Sequence, residues 1–380
     1  MIENYNPHWF GEKIGSGIRR DEYIKKLDKE LNKNQITFLI GLRRIGKTTL
    51  IKQFIDHLQT ELGIEGKRIL YLSLDHPILQ QSSLGDILRE FRKMNELSRR
   101  EKVYLFLDEL LYMKDIFQWL KVLQDNERIK IYGTSSSSLL KDQKAYLTGR
   151  HKTIRIKPLS FKEYLRFRGK DTHEPHLLER YFEEYLRDGG IPEYVLERDI
   201  NYLVDLVNDI LTRDILSRYK VANPLKLKEL FMLLVNRIGK PITYSKLARL
   251  LSTKEETVEQ YLSYLSSSEL VHIVYRWSRS VNERVYSPKK IYLGDVGFRY
   301  ALTGRFSSGS NLENLLFLEI MEKNPYYYMK GGIELDFITE TREIYECKLR
   351  ELSDNQKELL ERLKREGFKV HLITGYRDFI

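Results

Sequence analysis

The chain has 380 residues, with 64 Lys and Arg against 54 Asp and Glu for a net charge of +10, and hydrophobic and aromatic contents of 42% and 12%. That length predicts two or three domains, and that composition excludes a disordered or low-complexity chain. A single cysteine, Cys347, excludes an internal disulfide or a cysteine-rich zinc site, and no apolar run approaches the ~18–20 residues of a membrane span. The eight histidines show no paired metal-ligand spacing, and the opening MIENYNPHWF lacks the layout of a signal peptide. A cytoplasmic protein with no membrane contact is expected, and the positive balance favours an anionic partner.

Residues 36–40, Ile-Thr-Phe-Leu-Ile, read as a short strand buried on both faces. Directly after it, Gly41-Leu42-Arg43-Arg44-Ile45-Gly46-Lys47-Thr48-Thr49 matches G-x-x-x-x-G-K-[ST] without a gap, and a helix is expected over Leu50–Leu58. Glycines let such a loop turn tightly and aim its N–H groups at phosphate oxygens. Lys47 is the group to reach the β- and γ-phosphates of ATP, and the Thr48 hydroxyl is the Mg²⁺ ligand. The start of the helix adds its positive end.

A second buried strand, Val103–Leu107, ends in Asp108-Glu109. Asp108 is the candidate to hold Mg²⁺ and Glu109 the candidate to polarise the attacking water. A third, Ile129–Tyr132, leads into Gly133-Thr134-Ser135-Ser136, where Thr134 or Ser135 can touch the γ-phosphate or the lytic water. Strands near 36, 69, 103, 129 and 153 alternate with helices, which predicts an α/β fold with a parallel sheet. One strand separates the phosphate loop from the acidic pair, an arrangement that resembles the AAA+ branch of P-loop ATPases. That resemblance implies a completing arginine, often from a neighbouring subunit. Arg150, in Leu147-Thr148-Gly149-Arg150, is the first candidate, with Arg43 and Arg44 as alternatives.

From Phe161 to about Tyr219 the sequence is helical and polar, broken at Asp188-Gly-Gly-Ile-Pro192, as suits a helical lid. Helices are then expected over Leu225–Arg237, Thr243–Leu251 and Glu255–Ser266, followed by β-rich runs Leu270–Arg276 and Arg284–Leu293. Three helices and a hairpin make a winged helix-turn-helix. Its third helix opens with Glu255, Glu256 and Glu259, which weakens base reading. Its wing carries Arg276, Arg279, Arg284, Lys289 and Lys290 against Glu283, and offers phosphate contacts.

The last segment starts with a helix, Leu312–Lys323, bearing Glu313. Alternation in Ile333–Ile338 puts Glu334 and Asp336 on one face. In Ile344–Leu349 it puts Glu346 and Lys348 on one face. Asp336 and Glu346 are oxygen ligands suited to a second Mg²⁺ or Mn²⁺, Lys348 can stabilise negative charge, and Glu313 can orient water or complete the shell. This order of elements resembles the PD-(D/E)XK nuclease fold, with Ile-Glu-Leu before Asp336 in place of the usual Pro. The resemblance implies a fold; cutting is a separate question.

Seven stretches together resemble a prokaryotic, largely archaeal, family of AAA+ ATPases. They are Gly-Leu-Arg-Arg-Ile-Gly-Lys-Thr-Thr-Leu, Leu-Phe-Leu-Asp-Glu, Leu-Thr-Gly-Arg, Lys-Pro-Leu-Ser-Phe-Lys-Glu-Tyr, Gly-Gly-Ile-Pro-Glu-Tyr, Leu-Glu-Asn and Glu-Leu-Asp-Phe-Ile…Glu-Cys-Lys. The resemblance implies an ATPase core, a winged helix and a terminal nuclease-like domain, which agrees with the division read from the residues: a P-loop AAA+ core (1–157), a helical lid (158–222), a winged helix-turn-helix (223–305) and a PD-(D/E)XK nuclease-like domain (306–380). The expected protein is an ATP-hydrolysing, DNA-associated homo-oligomer that touches DNA through its basic wing and C-terminal domain. Two alternatives stand beside it. One is a nucleotide-dependent signalling switch whose later domains only dock; the other is a DNA-binding factor whose ATP site locks a conformation.

Overall fold

The computed structural model describes residues 2–135, 147, 149–348 and 352–380; Ser136, Thr148 and Leu349, named above, lie outside these. It divides into two compact units, residues 1–156 and 157–380.

In the first unit a leading helix α1 (Asp21–Asp28) precedes strand β1 (Ile36–Ile40) and helix α2 (Lys47–Thr60). Then come β2 (Ile69–Ser73), α3 (Leu84–Met94), β3 (Val103–Asp108), α4 (Ile116–Asn126), β4 (Ile129–Ser135) and β5 (His151–Arg155). The five strands form one sheet in the order β2-β3-β4-β1-β5, every neighbouring pair parallel. Every residue of β1 and β3 is buried, as central parallel strands covered on both faces require. Phe106 and Tyr132 stack at 5.1 Å on the sheet while Phe54 of α2 meets both edge-on, which seats the helix behind the phosphate loop.

Two boundaries differ from the sequence reading. The helix starts at Lys47 rather than Leu50, because Gly46 at φ 92° turns the chain directly into it. Strand β4 runs on to Ser135, so Thr134 stands in the sheet rather than in a turn; its pairing with Leu39 of β1 holds it there.

The second unit opens with α5 (Phe161–Phe167), α6 (Pro175–Asp188), α7 (Pro192–Glu197) and α8 (Ile200–Asp209). The Ser160/Glu163 capping box that starts α5 is present with both of its hydrogen bonds. Next come α9 (Pro224–Val235), α10 (Tyr244–Leu250) and α11 (Glu255–Ser267), then an antiparallel pair, β6 (Val271–Val274) and β7 (Lys290–Leu293). The run from Arg284 is not strand throughout. Residues Val281–Tyr286 form a short helix, α12, because Ser280 Oγ accepts the N–H of Glu283 and caps it.

After α13 (Gly297–Thr303) and α14 (Ser308–Ile320) come β8 (Tyr326–Lys330), β9 (Ile333–Ile338), β10 (Glu343–Cys347), α15 (Asp354–Arg365) and β11 (Lys369–Ile373). They make a mixed sheet in the order β11-β10-β9-β8, with only β10 and β11 parallel. A buried carboxylate ties the helical part of this unit to the rest: Asp295 accepts the N–H groups of Gly190 and Gly297, each at 2.8 Å. Asn311 adds a hydrogen bond to the Leu186 carbonyl at 2.7 Å.

Candidate functional site

The end of β1 delivers the chain to Gly41, where any Cβ would run into the Ile156 carbonyl, so only glycine permits this approach. The loop then passes through Arg44 at φ 59° and Gly46 at φ 92°, both left-handed. Lys47 is buried, and its ammonium donates to the carbonyls of Gly41 (3.1 Å) and Leu42 (2.9 Å), closing the loop on itself. Leu42 and Ile45 point into the core, Arg43, Thr48 and Thr49 are half-buried, and Arg44 is exposed. Arg20, buried just ahead of α1, supports the loop by donating to the Ile45 carbonyl at 3.4 Å.

Asp108, at the end of β3, collects three hydroxyls. Thr48 Oγ1 donates to its Oδ2 at 2.7 Å, Tyr71 of β2 donates to the same oxygen at 3.1 Å, and Thr134 of β4 donates to Oδ1. Thr134 also accepts the backbone N–H of Glu109 at 3.0 Å. Glu109 itself sits half-buried in the left-handed region at φ 54°, a conformation that costs a non-glycine residue on the order of 1 kcal/mol. Burial, followed by the Asp108 charge, pushes the Tyr71 hydroxyl well above its ordinary value, so it stays a donor. Ser135 closes β4, buried, one residue beyond Thr134.

The loop, Lys47, Thr48, Asp108, Glu109 and Thr134 are thus brought to one end of the sheet. Arg150 is not. It precedes β5, and the register pairs Ile36 with His151, at the opposite end of the strands from Gly41. Five residues of strand put it ~16 Å from the loop of its own chain. There it forms an ion pair with Asp125. Tyr71 and Arg20 escaped the sequence reading: each lies outside any motif spacing, and only strand pairing and helix packing bring them in.

The donor set fits a nucleoside triphosphate with Mg²⁺. A loop entered at a position that only glycine can occupy, a buried ammonium, and hydroxyl and carboxylate oxygens in direct contact are the hard donors and N–H groups such a ligand needs.

In the second unit Asp336, Glu346 and Lys348 also come together. Asp336 accepts the N–H of Cys347 at 2.8 Å, Glu346 accepts the N–H of Asp336 at 2.8 Å, and Lys348 lies 3.2 Å from Glu346. Gln356 on α15, which no motif singled out, donates to Glu346 at 3.4 Å. Burial, then the charges of Glu313 and Glu346, raises Asp336 well above the ordinary carboxylate range. Glu346 is raised chiefly by its own burial.

Glu313 is engaged otherwise than expected. It accepts from Lys290 (2.8 Å) and from the Tyr292 hydroxyl (2.6 Å), while Lys290 also pairs with Glu334 at 2.5 Å. Burial alone would lower the proton affinity of Lys290; Glu313, Glu334 and Asp336 outweigh it and raise it. Four carboxyl groups therefore face two ammonium groups, so acids outnumber bases two to one. In charge and donor chemistry a divalent cation fits, with Asp336 and Glu346 to hold it. Among the described residues no three His, Cys, Asp or Glu side chains converge on one point.

The basic wing needs correction. Lys290 is fully buried on the carboxylates, and Lys289 is buried with its ammonium on the Val285 carbonyl. Arg276 is turned onto the Met329 carbonyl (2.6 Å) and Glu283, and Arg284 onto the Ser278 carbonyl (2.9 Å) and the Tyr326 hydroxyl (3.2 Å). Of the five cations only Arg279 is exposed: Arg276, Arg284 and Lys290 each reach a partner on β8 or β9, and Lys289 turns back onto α12.

A family model described as an AAA domain matches residues 33–165, and one described as a domain of unknown function (DUF8612) matches residues 179–309. The uncharacterized protein MJ1544 of Methanocaldococcus jannaschii is 30% identical, over 95% of this chain and 85% of its own length. An uncharacterized protein of Haemophilus influenzae is 26% identical over 94% and 93%. Among solved structures, the Aeropyrum pernix Orc1 protein in complex with DNA is similar at a TM-score of 0.37 and 13% identity, over 78% of this chain and 95% of that one. PCH-2 of C. elegans is similar at 0.30 and 16%, over 68% and 73%. At those scores neither structure carries an argument about this chain. Among the described residues no helix is long and apolar enough to cross a membrane.

Proposed function

The chain belongs to the family of the uncharacterized protein MJ1544 of Methanocaldococcus jannaschii, and from that premise we propose that it is a Mg²⁺-dependent ATPase of the AAA type that works in association with nucleic acid. The observation that carries the ATPase reading is the 2.7 Å hydrogen bond from Thr48 to Asp108. It joins the phosphate loop to the acidic strand end through the two groups that would share a Mg²⁺ ion. In this reading the loop N–H groups from Gly41 to Thr49 cradle the phosphates, and Lys47 leaves the Gly41 and Leu42 carbonyls to meet them. Glu109 orients and deprotonates the attacking water, and Thr134 holds Asp108 and Glu109 in register. Bound Mg²⁺ would supply charge neutralisation at the phosphates. Arg150 acts on the nucleotide of a neighbouring copy in a homo-oligomer.

Glu109→Gln tests the assignment. Steady-state hydrolysis should fall at least ~100-fold while nucleotide binding stays within a few-fold. Hydrolysis at the wild-type rate would remove Glu109 from the role. Nucleic-acid association is tested by adding duplex DNA to the ATPase assay. Neither stimulation nor salt-sensitive DNA binding would sink it in favour of a signalling switch.

Within residues 157–380 we read a helical lid, a winged helix-turn-helix and a nuclease-like domain, divided near 222 and 305. The gathering of four carboxyl groups around two ammonium groups at Asp336 and Glu346 supports a second reading, that this last segment holds a divalent cation for phosphodiester cleavage. Lys348 and Gln356 would then steady the carboxylates from two sides. DNA incubated with Mg²⁺ or Mn²⁺ should be cut by the wild type and spared by Asp336→Ala; equal cutting by both would point to a contaminant.

A further inference from the structure

A groove of about 620 Å³ runs, in the second unit, between the end of α9 with its following turn and the end of α13. Arg237, Lys240 and Arg305 line it, beside Asn236 and apolar neighbours, and no carboxylate does. Among the described residues none of the three cations forms an ion pair. Arg299, one turn back on α13, has its Nη1 shielded from solvent without a hydrogen-bond partner. Burial, and then the charge of Arg305, lowers the hold of Arg299 on its proton.

The surrounding sequence has the same bias. Residues 218–254, which contain α9 and α10, carry nine Lys and Arg against a single acid, Glu229, although residues 157–380 as a whole hold 36 against 34. Glu229 lies one turn ahead of the groove on α9. Like charges gathered without counter-ions repel one another, and a polyanion would relieve that repulsion. The groove lies at the C-terminal ends of two helices, whose carbonyls oppose an anion held deep between them. Long cationic side chains reaching outward instead suit a strand that passes along the surface.

We propose that this groove binds the phosphodiester backbone of nucleic acid, with Arg237, Lys240 and Arg305 each set against a phosphate. The proposal rests on the nucleic-acid reading above and moves the contact away from the wing, four of whose five cations are committed internally, and from α11, which opens with Glu255, Glu256 and Glu259. Contacts of this kind position a duplex without reading its sequence.

The test uses the full chain and a short labelled DNA duplex, with anisotropy measured across a salt series. Arg237→Ala/Lys240→Ala/Arg305→Ala should weaken binding about tenfold or more and flatten the slope of log affinity against log salt by roughly 2.7. Arg237→Lys/Arg305→Lys, which keeps the charge, should stay within about threefold of wild type, and Arg279→Ala on the wing should change little. Basal ATPase and melting temperature of the triple variant should match the wild type, which separates lost contacts from lost folding. Wild-type binding retained by the triple variant would overturn the groove and leave the nucleic-acid reading standing. Loss of binding by the charge-keeping variant would overturn it as well, since shape rather than charge would then decide. A wild type that binds polyphosphate but no DNA would overturn both.

Discussion

Asp108 holds three hydroxyls that arrive from β2, β4 and the first turn of α2, and each does a different job. Thr134 is the one that also touches Glu109, so it couples the two acids. Thr134→Val keeps the shape and removes both bonds. An unpaired buried group costs ~1–3 kcal/mol, so kcat should fall about 5- to 100-fold with KM for ATP within about threefold. A rise in KM at constant kcat would instead make Thr134 a binding residue. A second residue-scale expectation concerns Asp295, whose carboxyl burial pushes up to about 6. Its folded value lies above its unfolded one, so the folded state binds more protons through the window from about 4 to about 6. Stability contributed by this group is then greatest below that window and falls as pH rises through it, by on the order of 3 kcal/mol. Urea midpoints across those pH values should show the slope in the wild type and lose it in Asp295→Asn; equal slopes would leave the carboxyl without this part.

Among the elements, the turn after α9 depends on one residue. Gly239 has φ +72°, and a Cβ there would lie 2.7 Å from Oε2 of Glu313, a carboxylate whose other oxygen, Oε1, is already held by Lys290 and Tyr292. Gly239→Ala should therefore cost ~2 kcal/mol or more, combining backbone strain with displacement of a paired carboxylate. Gly304 has the similar φ +64° with open space around it. Gly304→Ala should lose only about 1 kcal/mol, and denaturant melts of the two variants would separate strain from collision. Periodicity located most elements to within a few residues, such as the helix that starts at Pro224 and the strand Ile333–Ile338. It missed α12, since six residues are too few to show a period and Val285-Tyr286 reads equally well as the start of a strand.

Taken whole, the positive charge is distributed unevenly: residues 1–156 hold 28 Lys and Arg against 20 Asp and Glu, while residues 157–380 are nearly balanced. Placement of Arg150 ~16 Å from its own phosphate loop makes any catalytic use of it a property of an assembly. Mixing Lys47→Ala with Arg150→Ala should then yield some interfaces with an intact loop facing an intact arginine, and ATPase activity above the mean of the two variants alone. A strictly additive rate would remove Arg150 from the site.

The phosphate loop and the acidic pair were legible because both are contiguous: Gly41–Thr49 and Asp108-Glu109 each need only the strand before them to be aimed correctly. The Asp336, Glu346 and Lys348 grouping was legible for a related reason, since strand alternation assigns faces without reference to the rest of the chain. What the tertiary structure alone decided was who pairs with whom. Tyr71 reaches Asp108 only through the β2–β3 pairing, and Lys290 leaves a supposed wing to neutralise Glu313 because burying those carboxylates requires a cation beside them. Arg237, Lys240 and Arg305 share a groove because the fold sets the ends of α9 and α13 on its two sides, although 65 residues separate Lys240 from Arg305 along the chain. Local chemistry is written in contiguous residues; charge pairing depends on distance in space, and that only the fold sets.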